Sequence, residues 1–594
     1  MPGIYKISII LFVGLFFLVS AFADDKFDQS LGKAREYVED KNYSAALEEY
    51  SSISSELGHD SGLLIEWARV YTYADRHEEA IKVFEEIRQK HPQRAAEILK
   101  ELADQYKWNG QLKKSIEIYK EALKTNVEDL QVLLGLAQAL LWADDREESL
   151  KIYERVISRW PDNNDALLGK ADILSFQDKL EEADGLYQKV LDKDPENIAA
   201  LNAQARILVW KGYHRRGIAR YEQILQKYPK NPDALEGMAF ALHWSGQDLL
   251  AVDRLKELFE FEPNRKEAKD LYSQIQDSQY PFTRVNSRFS NDSTPQTIST
   301  EALRSGAHLT YSASLDVIYE NQLLRKRGTS HSKISADRGG LFFNKSFGNA
   351  FEFNTFMYGT HFNKVKFNPF TTNTWFTYKP DDCWRFDLAY DRETFEDNDA
   401  LVNRIITNSP SLSLDFRPDR FWFFNIKYKR SYYTDENRQN QIFSKIEYRL
   451  AHKPYVKLYY NYYYSDWGEP ELSHGYFNPR RLISHMLGAY SGIDLTNKLF
   501  IEAKASGGYE FQRKPDVQPK KSDHPVCYAA ASLSYRLTNN WLVSASGDFF
   551  STWPDHGQRS YQKRNAYLSV TYNFGASPVA MREGTRPSRV TGGN

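Results

Sequence analysis

Cysteine is nearly absent: Cys383 and Cys527 are the two in 594 residues, too few for a disulfide framework. Neither sign of charge is in excess. With 77 basic and 79 acidic residues the formal net charge is −2, and bulk charge implies no nucleic-acid partner. The apolar run from Ile7 to Val19 is far short of the ~20 residues a membrane-spanning helix needs. There is no H-E-x-x-H, no G-x-S-x-G and no Cys/His cluster at metal spacing, which disfavours an enzyme. No phosphate-cradling Gly-rich loop with its Lys occurs either. The expectation is therefore no catalytic residue, no metal and no cofactor.

What is present divides into unlike halves. Lys6, the run Ile7 to Val19 and the A-x-A sequence Ala21-Phe22-Ala23 before Asp24-Asp25 predict a cleaved secretory leader over residues 1–23. A helical repeat domain is expected over 24–276, a β-barrel over 277–574 and an unstructured tail over 575–594. That last stretch is rich in Gly, Pro, Ser and Arg.

The first half repeats with a period of about 34 residues. Ala34, Ala68, Ala103, Ala137, Ala171, Ala205 and Ala239 share one slot, and Ala46, Ala80, Ser115, Ser149, Ala183, Gly217 and Ala251 share another. Four residues on come Tyr50, Phe84, Tyr119, Tyr153, Tyr187, Tyr221 and Leu255. Pro92, Pro161, Pro195, Pro229 and Pro263 then end the second helix of a pair. Small residues let paired helices approach, and the ring fills the gap to the next pair; stacking buries a continuous core. These segments resemble tetratricopeptide repeats, about seven of them.

Another slot, near the end of each first helix, is aromatic: Tyr73, Trp108, Trp142, Phe176, Trp210 and Trp244. Such rings either plug the joint between helices or offer faces that stack on sugar rings. They are the candidate groove for a glycan or a partner protein.

After Tyr280-Pro281 the helical period gives way to tyrosine-rich stretches of alternating apolar and polar residues. In Ala566–Phe574, for example, Leu568, Val570, Tyr572 and Phe574 oppose Ser569, Thr571 and Asn573. Short turns at Phe347–Ala350, Lys379–Asp382, Arg417–Arg420, Ala451–Pro454, Thr496–Lys498 and Thr538–Asn540 alternate with longer connections, such as Phe395–Ser409, Tyr433–Gln439 and Gln512–Pro525. That asymmetry predicts an antiparallel transmembrane barrel of about 16 strands. Its first strands are expected near Phe282–Asn291, Thr297–Arg304 and His308–Tyr319. An even strand number puts both barrel ends on the periplasmic side, with the repeats. The cysteines then fall at opposite ends of the barrel and cannot pair.

A barrel of that size keeps a watery lumen. Alternation assigns to it Arg385, Asp387, Asp391, Asp415, Arg417, Lys427, Lys429, Lys445, Glu447, Arg449, Lys457, Glu502, Lys504, Arg536 and Asp548. Both signs are represented, so no ionic selectivity follows.

Periplasmic repeats followed by a large barrel resemble the exopolysaccharide export porins: the poly-N-acetylglucosamine export porin, the export porin of cellulose synthase and the YaiO-like barrels. The aromatic-plus-"SGQ" or "NGQ" turns and the loop Gly475–Arg481 look like features of those families. The array here is shorter than theirs. The resemblance implies an outer-membrane porin through which a polysaccharide passes, with repeats that bind the polymer or periplasmic biosynthesis or modification proteins. The other partners implied are outer-membrane lipid and the barrel-insertion machinery, which reads a final strand ending in Phe574. The alternatives are an outer-membrane-anchored adaptor and a general solute porin.

Overall fold

A computed structural model of the chain describes residues 27–54, 60–294, 296–328, 332–451, 454–469, 479–513, 521–552 and 561–575. The leader expected over 1–23, the tail from 576 and residues 475–478 of the Gly475–Arg481 loop lie outside the described residues.

The helical part begins with a helix over 27–39 (α1). It continues with α2 (Tyr43–Ser52), α3 (Ser61–Tyr73), α4 (His77–Lys90), α5 (Ala95–Trp108), α6 (Leu112–Thr125), α7 (Leu130–Trp142), α8 (Arg146–Arg159), α9 (Asn164–Phe176) and α10 (Leu180–Lys193). After these come α11 (Ile198–Trp210), α12 (His214–Lys227), α13 (Pro232–Trp244), α14 (Asp248–Phe259) and α15 (Lys266–Gln279).

Each first helix ends at a residue with positive φ: Lys41, Asp75, Gly110, Asp144, Asp178, Gly212 and Gly246. One left-handed residue per repeat reverses the chain tightly, and Gly, Asp or Asn suit that conformation best. The small slots face each other at full burial. Where the slot is serine, the hydroxyl donates to the carbonyl of the opposing alanine: Ser115 Oγ to Ala103 O at 2.8 Å and Ser149 Oγ to Ala137 O at 2.7 Å. The ring slot is also closed to solvent, with Tyr50, Phe84, Tyr119 and Tyr187 at 0% exposure. Tyr153 lies against Gly169 and Tyr221 against Gly237, where a Cβ would collide with the ring. The buried hydroxyls find acceptors, Tyr187 Oη donating to Asp172 at 2.6 Å and Tyr50 Oη to Glu66 at 2.6 Å, because an unpaired buried hydroxyl is costly.

Strands β1 (Phe282–Asp292) to β16 (Gln562–Asn573) close into one antiparallel barrel in sequence order, β16 pairing with β1. Between them lie β2 (Gln296–Thr310), β3 (Ala313–Lys326), β4 (Lys333–Phe347), β5 (Phe351–Phe362), β6 (Phe370–Tyr378), β7 (Trp384–Thr394) and β8 (Ile406–Phe416). The circuit continues with β9 (Trp422–Tyr433), β10 (Arg438–Ala451), β11 (Tyr455–Trp467), β12 (Arg481–Asp494), β13 (Leu499–Arg513), β14 (Lys521–Arg536) and β15 (Trp541–Thr552). Closure satisfies every edge, which is what allows strands to stand in a bilayer.

Several strand limits differ from those expected; β8 begins at Ile406, so Ser409 belongs to it and not to the connection expected over Phe395–Ser409, and β16 ends at Asn573, one residue before Phe574. β2 runs on to Thr310 and turns at Tyr311–Ser312, so His308 belongs to β2 and not to β3. Gly306, between the two strands expected there, is a mid-strand residue whose missing side chain makes room for Asp316 and the ring of Phe282. The β9–β10 connection, expected to be long over Tyr433–Gln439, is a tight turn at 434–437 with Glu436 at φ 71°. Pro525 lies within β14, opposite Tyr509 of β13, so the preceding loop is shorter than expected.

The chain forms two compact units, Met1–Gln204 and Ala205–Asn594. The division falls within α11, well before the change from helix to strand, because in the second unit a helix is tied to barrel turns. The Asp382 carboxylate accepts from the backbone N–H groups of Arg215 and Arg216, at 3.0 and 3.3 Å, and so caps α12. The Arg215 guanidinium donates to the carbonyls of Asn349, Lys379 and Pro380. Tyr213 Oη donates to Pro418 O at 2.7 Å, and Gln276 Nε2 donates to Tyr311 Oη at 2.9 Å. All of these barrel partners stand at the short-turn end.

Candidate functional site: the barrel interior and the aromatic row

The two faces of the barrel differ in chemistry. Outward positions include Val317 at 59% exposure, Leu388 at 61% and Leu487 at 66%. Toward the short turns this apolar band is bordered by rings in contact, with centroids 4.8 Å apart for Phe351 and Tyr378, 4.2 Å for Trp384 and Phe416 and 4.8 Å for Trp541 and Tyr572. Toward the long loops it is bordered by exposed Tyr319, Phe370, Tyr390, Tyr432 and Tyr509. In water so large an apolar surface would drive association. Between two aromatic girdles it is the lipid-facing surface of a transmembrane barrel, and the chain is an outer-membrane protein.

Strand register places Arg385, Asp387, Asp391, Asp415, Lys427, Glu447, Arg449, Glu502, Lys504, Arg536 and Asp548 on the opposite, inward face, together with Lys429, Lys445 and Lys457. Arg417 lies one residue beyond β8, where its backbone N–H still donates to Cys383 O, and its guanidinium lies 4.8 Å from the ring centre of Phe423, which shares the inward parity of Asn425 and Lys427. Many inward charges are paired, as in Lys429–Asp391 at 3.0 Å and Lys457–Glu447 at 3.1 Å. Ion pairs in a polar, wetted lumen keep the wall hydrophilic and leave no strong field of one sign.

The connection from β7 to β8 does not project away from the barrel. It folds inward as a strap over residues 395–405, carrying a short helix, α16 (Asn398–Val402), capped by Asp397. On one side Phe395 packs on Tyr433, with Ala400, Ile405 and Trp467 beside them. On the other side Leu401 seals a cluster of Ile298, Leu324, Ile334, Ala336, Phe362 and Val365. Lys326 Nζ reaches Asp397 at 2.8 Å and Asp399 at 2.7 Å. Arg288 on β1 binds the Glu396 carboxylate through both terminal nitrogens. β1 stands six strands around the barrel from β7, so the strap bridges the interior. Next to it is a cavity of about 900 Å³ whose lining includes Arg288, Glu396, Tyr358, Lys504, Tyr528, Asp548, Lys563 and Tyr567. The strap escaped sequence reasoning, although Ala400-Leu401-Val402 after a capping Asp397 is an apolar helix signal inside an expected loop.

In the first unit the aromatic row keeps its rings in reach of solvent: Tyr73 is 54% exposed, Trp108 47%, Trp142 49% and Phe176 50%. Each has a neighbour as well. Tyr73 meets Tyr43 at 5.8 Å, Trp108 meets His77 at 5.6 Å, and Arg146 lies 5.2 Å from the centre of Phe176. The rings therefore cover the joint between repeats with one face and present another. Lys107 is buried, donates to Asp104 and Gln138, and lies 5.3 Å from the Trp108 ring centre and 5.8 Å from that of Trp142. Burial would raise the Asp104 carboxyl, but hydrogen bonds from Tyr119 and Lys100 and the Lys107 charge hold it below its usual range. Lys107 thus lies between two adjacent rings and beside a buried carboxylate. In the second unit Trp244 is 45% exposed beside His214, and Arg206 lies over Trp210.

Tetratricopeptide-repeat family models match residues 143–207 and 64–94. The helical half is a tetratricopeptide-repeat array. Arrays of this kind generally bind other proteins. Among solved structures, one described as a bacterial polysaccharide outer membrane secretin is 12% identical, with a TM-score of 0.40, and the match covers 50% of this chain and 99% of that one. A tetratricopeptide repeat protein from Parabacteroides merdae is 14% identical, with a TM-score of 0.39, covering 42% and 98%. PilW, a type IV pilus biogenesis factor, is 16% identical, with a TM-score of 0.31, covering 35% and 96%. No curated protein matches the chain. Among the described residues no group of His, Cys, Asp and Glu gathers as metal ligands.

Proposed function

We propose that this chain is an outer-membrane porin for the export of an exopolysaccharide, with its repeats in the periplasm. The observation that carries the reading is a closed 16-stranded barrel with a charged, polar interior on one chain with a repeat array, the last helices of which are tied to the short-turn end. Short turns face the periplasm in barrels of this class and long loops face outward, which supports a periplasmic location for the repeats. The polymer would cross passively, pushed by its own synthesis, since the sequence carries no phosphate-cradling Gly-rich loop with its Lys.

The half-exposed rings at Tyr73, Trp108, Trp142 and Phe176, and at Trp210 and Trp244, suit the C–H faces of sugars or the side chains of biosynthesis or modification proteins. A role in transport or scaffolding rather than catalysis follows from this division of labour. The final strand, followed directly by Phe574, serves recognition by the insertion machinery. The bridging strap favours a second reading, an anchor with a closed barrel that uses its repeats as an adaptor.

The deciding experiment is deletion of the gene. Export predicts that the cells stop releasing a surface polysaccharide and that the full-length protein restores release. Undiminished release, with the polymer unchanged, would refute it in favour of the adaptor or a general solute porin.

A further inference from the structure

We infer that the inward face of β1 carries a carboxylate-binding subsite, filled in this structure by the chain's own Glu396, and that its ligand is a sugar bearing an acidic group. The inference rests on the reading of the barrel as a polysaccharide conduit and names the class of polymer.

Glu396 belongs to the strap, not to the barrel wall. Its carboxylate lies against Arg288 in a fork-to-fork arrangement, Nη1 donating to Oε1 at 3.0 Å and Nη2 to Oε2. Gln322 Nε2 donates to the same Oε1 at 2.9 Å. This is the geometry with which a guanidinium recognises any planar carboxylate. Lys563 adds a further positive charge acting on Glu396. Glu396 keeps 38% of its side chain exposed, and it lines the 900 Å³ cavity together with Arg288 and Lys563. An incoming carboxylate can therefore reach the same donors. Lys504, on the same cavity wall, has no ion pair among the described residues; its Nζ lies 5.0 Å from the ring centre of Tyr528. Cations beside a half-buried ring that lines the cavity suit an acidic sugar better than a neutral one, since the ring takes the C–H face and the cation the carboxylate.

Glu396 is thus an internal competitor. A uronate that takes Arg288 from it removes one of the ties holding the strap across the interior. Occupancy and strap release are then coupled through a single carboxylate position.

The test uses the full-length protein in detergent, titrated calorimetrically with tetragalacturonate, with maltotetraose and deacetylated chitotetraose as neutral and cationic comparators. Tetragalacturonate is expected to bind in preference to both. Arg288→Gln should weaken that binding at least tenfold, and Glu396→Gln should strengthen it at least fivefold, a gain that misfolding cannot produce. Equal binding of the neutral or cationic tetramer, or unchanged affinity in Glu396→Gln, overturns the subsite. If this pattern holds while cells lacking the gene still release their polymer, the conduit reading falls and the subsite stands. If release stops but the tetramers bind alike, the reverse is true.

Discussion

The guanidinium of Arg215, in a repeat helix, donates to the carbonyl oxygen of Lys379 in a barrel turn at 2.7 Å. The same side chain reaches Asn349 and Pro380, so one arginine gathers two turns at the mouth. Arg215→Ala should detach the end of α12 from the barrel at a cost of about 2 kcal/mol, the scale of a charge-assisted bond. Hydrogen exchange at the backbone N–H groups of residues 215 and 216, which donate to the Asp382 carboxylate, should speed up while the barrel stays folded. Unchanged exchange would show that these contacts do not hold the helix.

The same junction should respond to acid. Burial lowers the pKa of the His214 imidazole from its ordinary 6.5, against a smaller upward pull from Asp382. The docked form therefore binds fewer protons than the undocked one. Docking is fully stable above about pH 6.5 and weakens as pH falls below it. Energy transfer between fluorophores on α12 and on the β6–β7 turn should drop between about pH 7.5 and 5.5. His214→Asn should flatten the response. A flat profile in the unmodified protein contradicts the assignment.

Two glycines of the first unit should behave oppositely. A Cβ on Gly169 would come 2.6 Å from Cε1 and Cε2 of Tyr153, so Gly169→Ala overpacks a filled joint and should cost about 1–3 kcal/mol. Gly185, in α10, has nothing within 4 Å of such a Cβ. Gly185→Ala should add roughly 0.5–1 kcal/mol by helix propensity. Urea melts followed at the helical band would expose any failure of this contrast.

Much of this was legible beforehand because both halves rest on strict periods. The alanine and tyrosine slots fixed helix pairing, since one residue of slip would expose Tyr119 or Tyr187. Alternation around Leu388, Leu412 and Ile426 fixed the barrel's faces in the same way. What escaped notice depends on contacts far apart in sequence. Nothing local to Arg215 announces a barrel turn 164 residues away, and nothing near Glu396 announces Arg288, 108 residues before it. The aromatic row was readable as a row, but its half-exposure depends on how successive repeats stack.

That exposure makes the row removable. Trp108→Ala with Trp142→Ala should cost little stability, since each ring is about half exposed, yet should weaken retention of the native polymer or partner by the purified protein severalfold. Full retention in a pull-down would assign the rings to the joint alone.

Single-channel recording of the full-length protein in a planar bilayer is the most direct test of a watery passage crossed by a strap. The unmodified protein should show small, interrupted current steps, and Glu396→Gln combined with Lys326→Gln should give larger and steadier ones. A barrel that inserts but stays silent in both forms would contradict a passage of any kind.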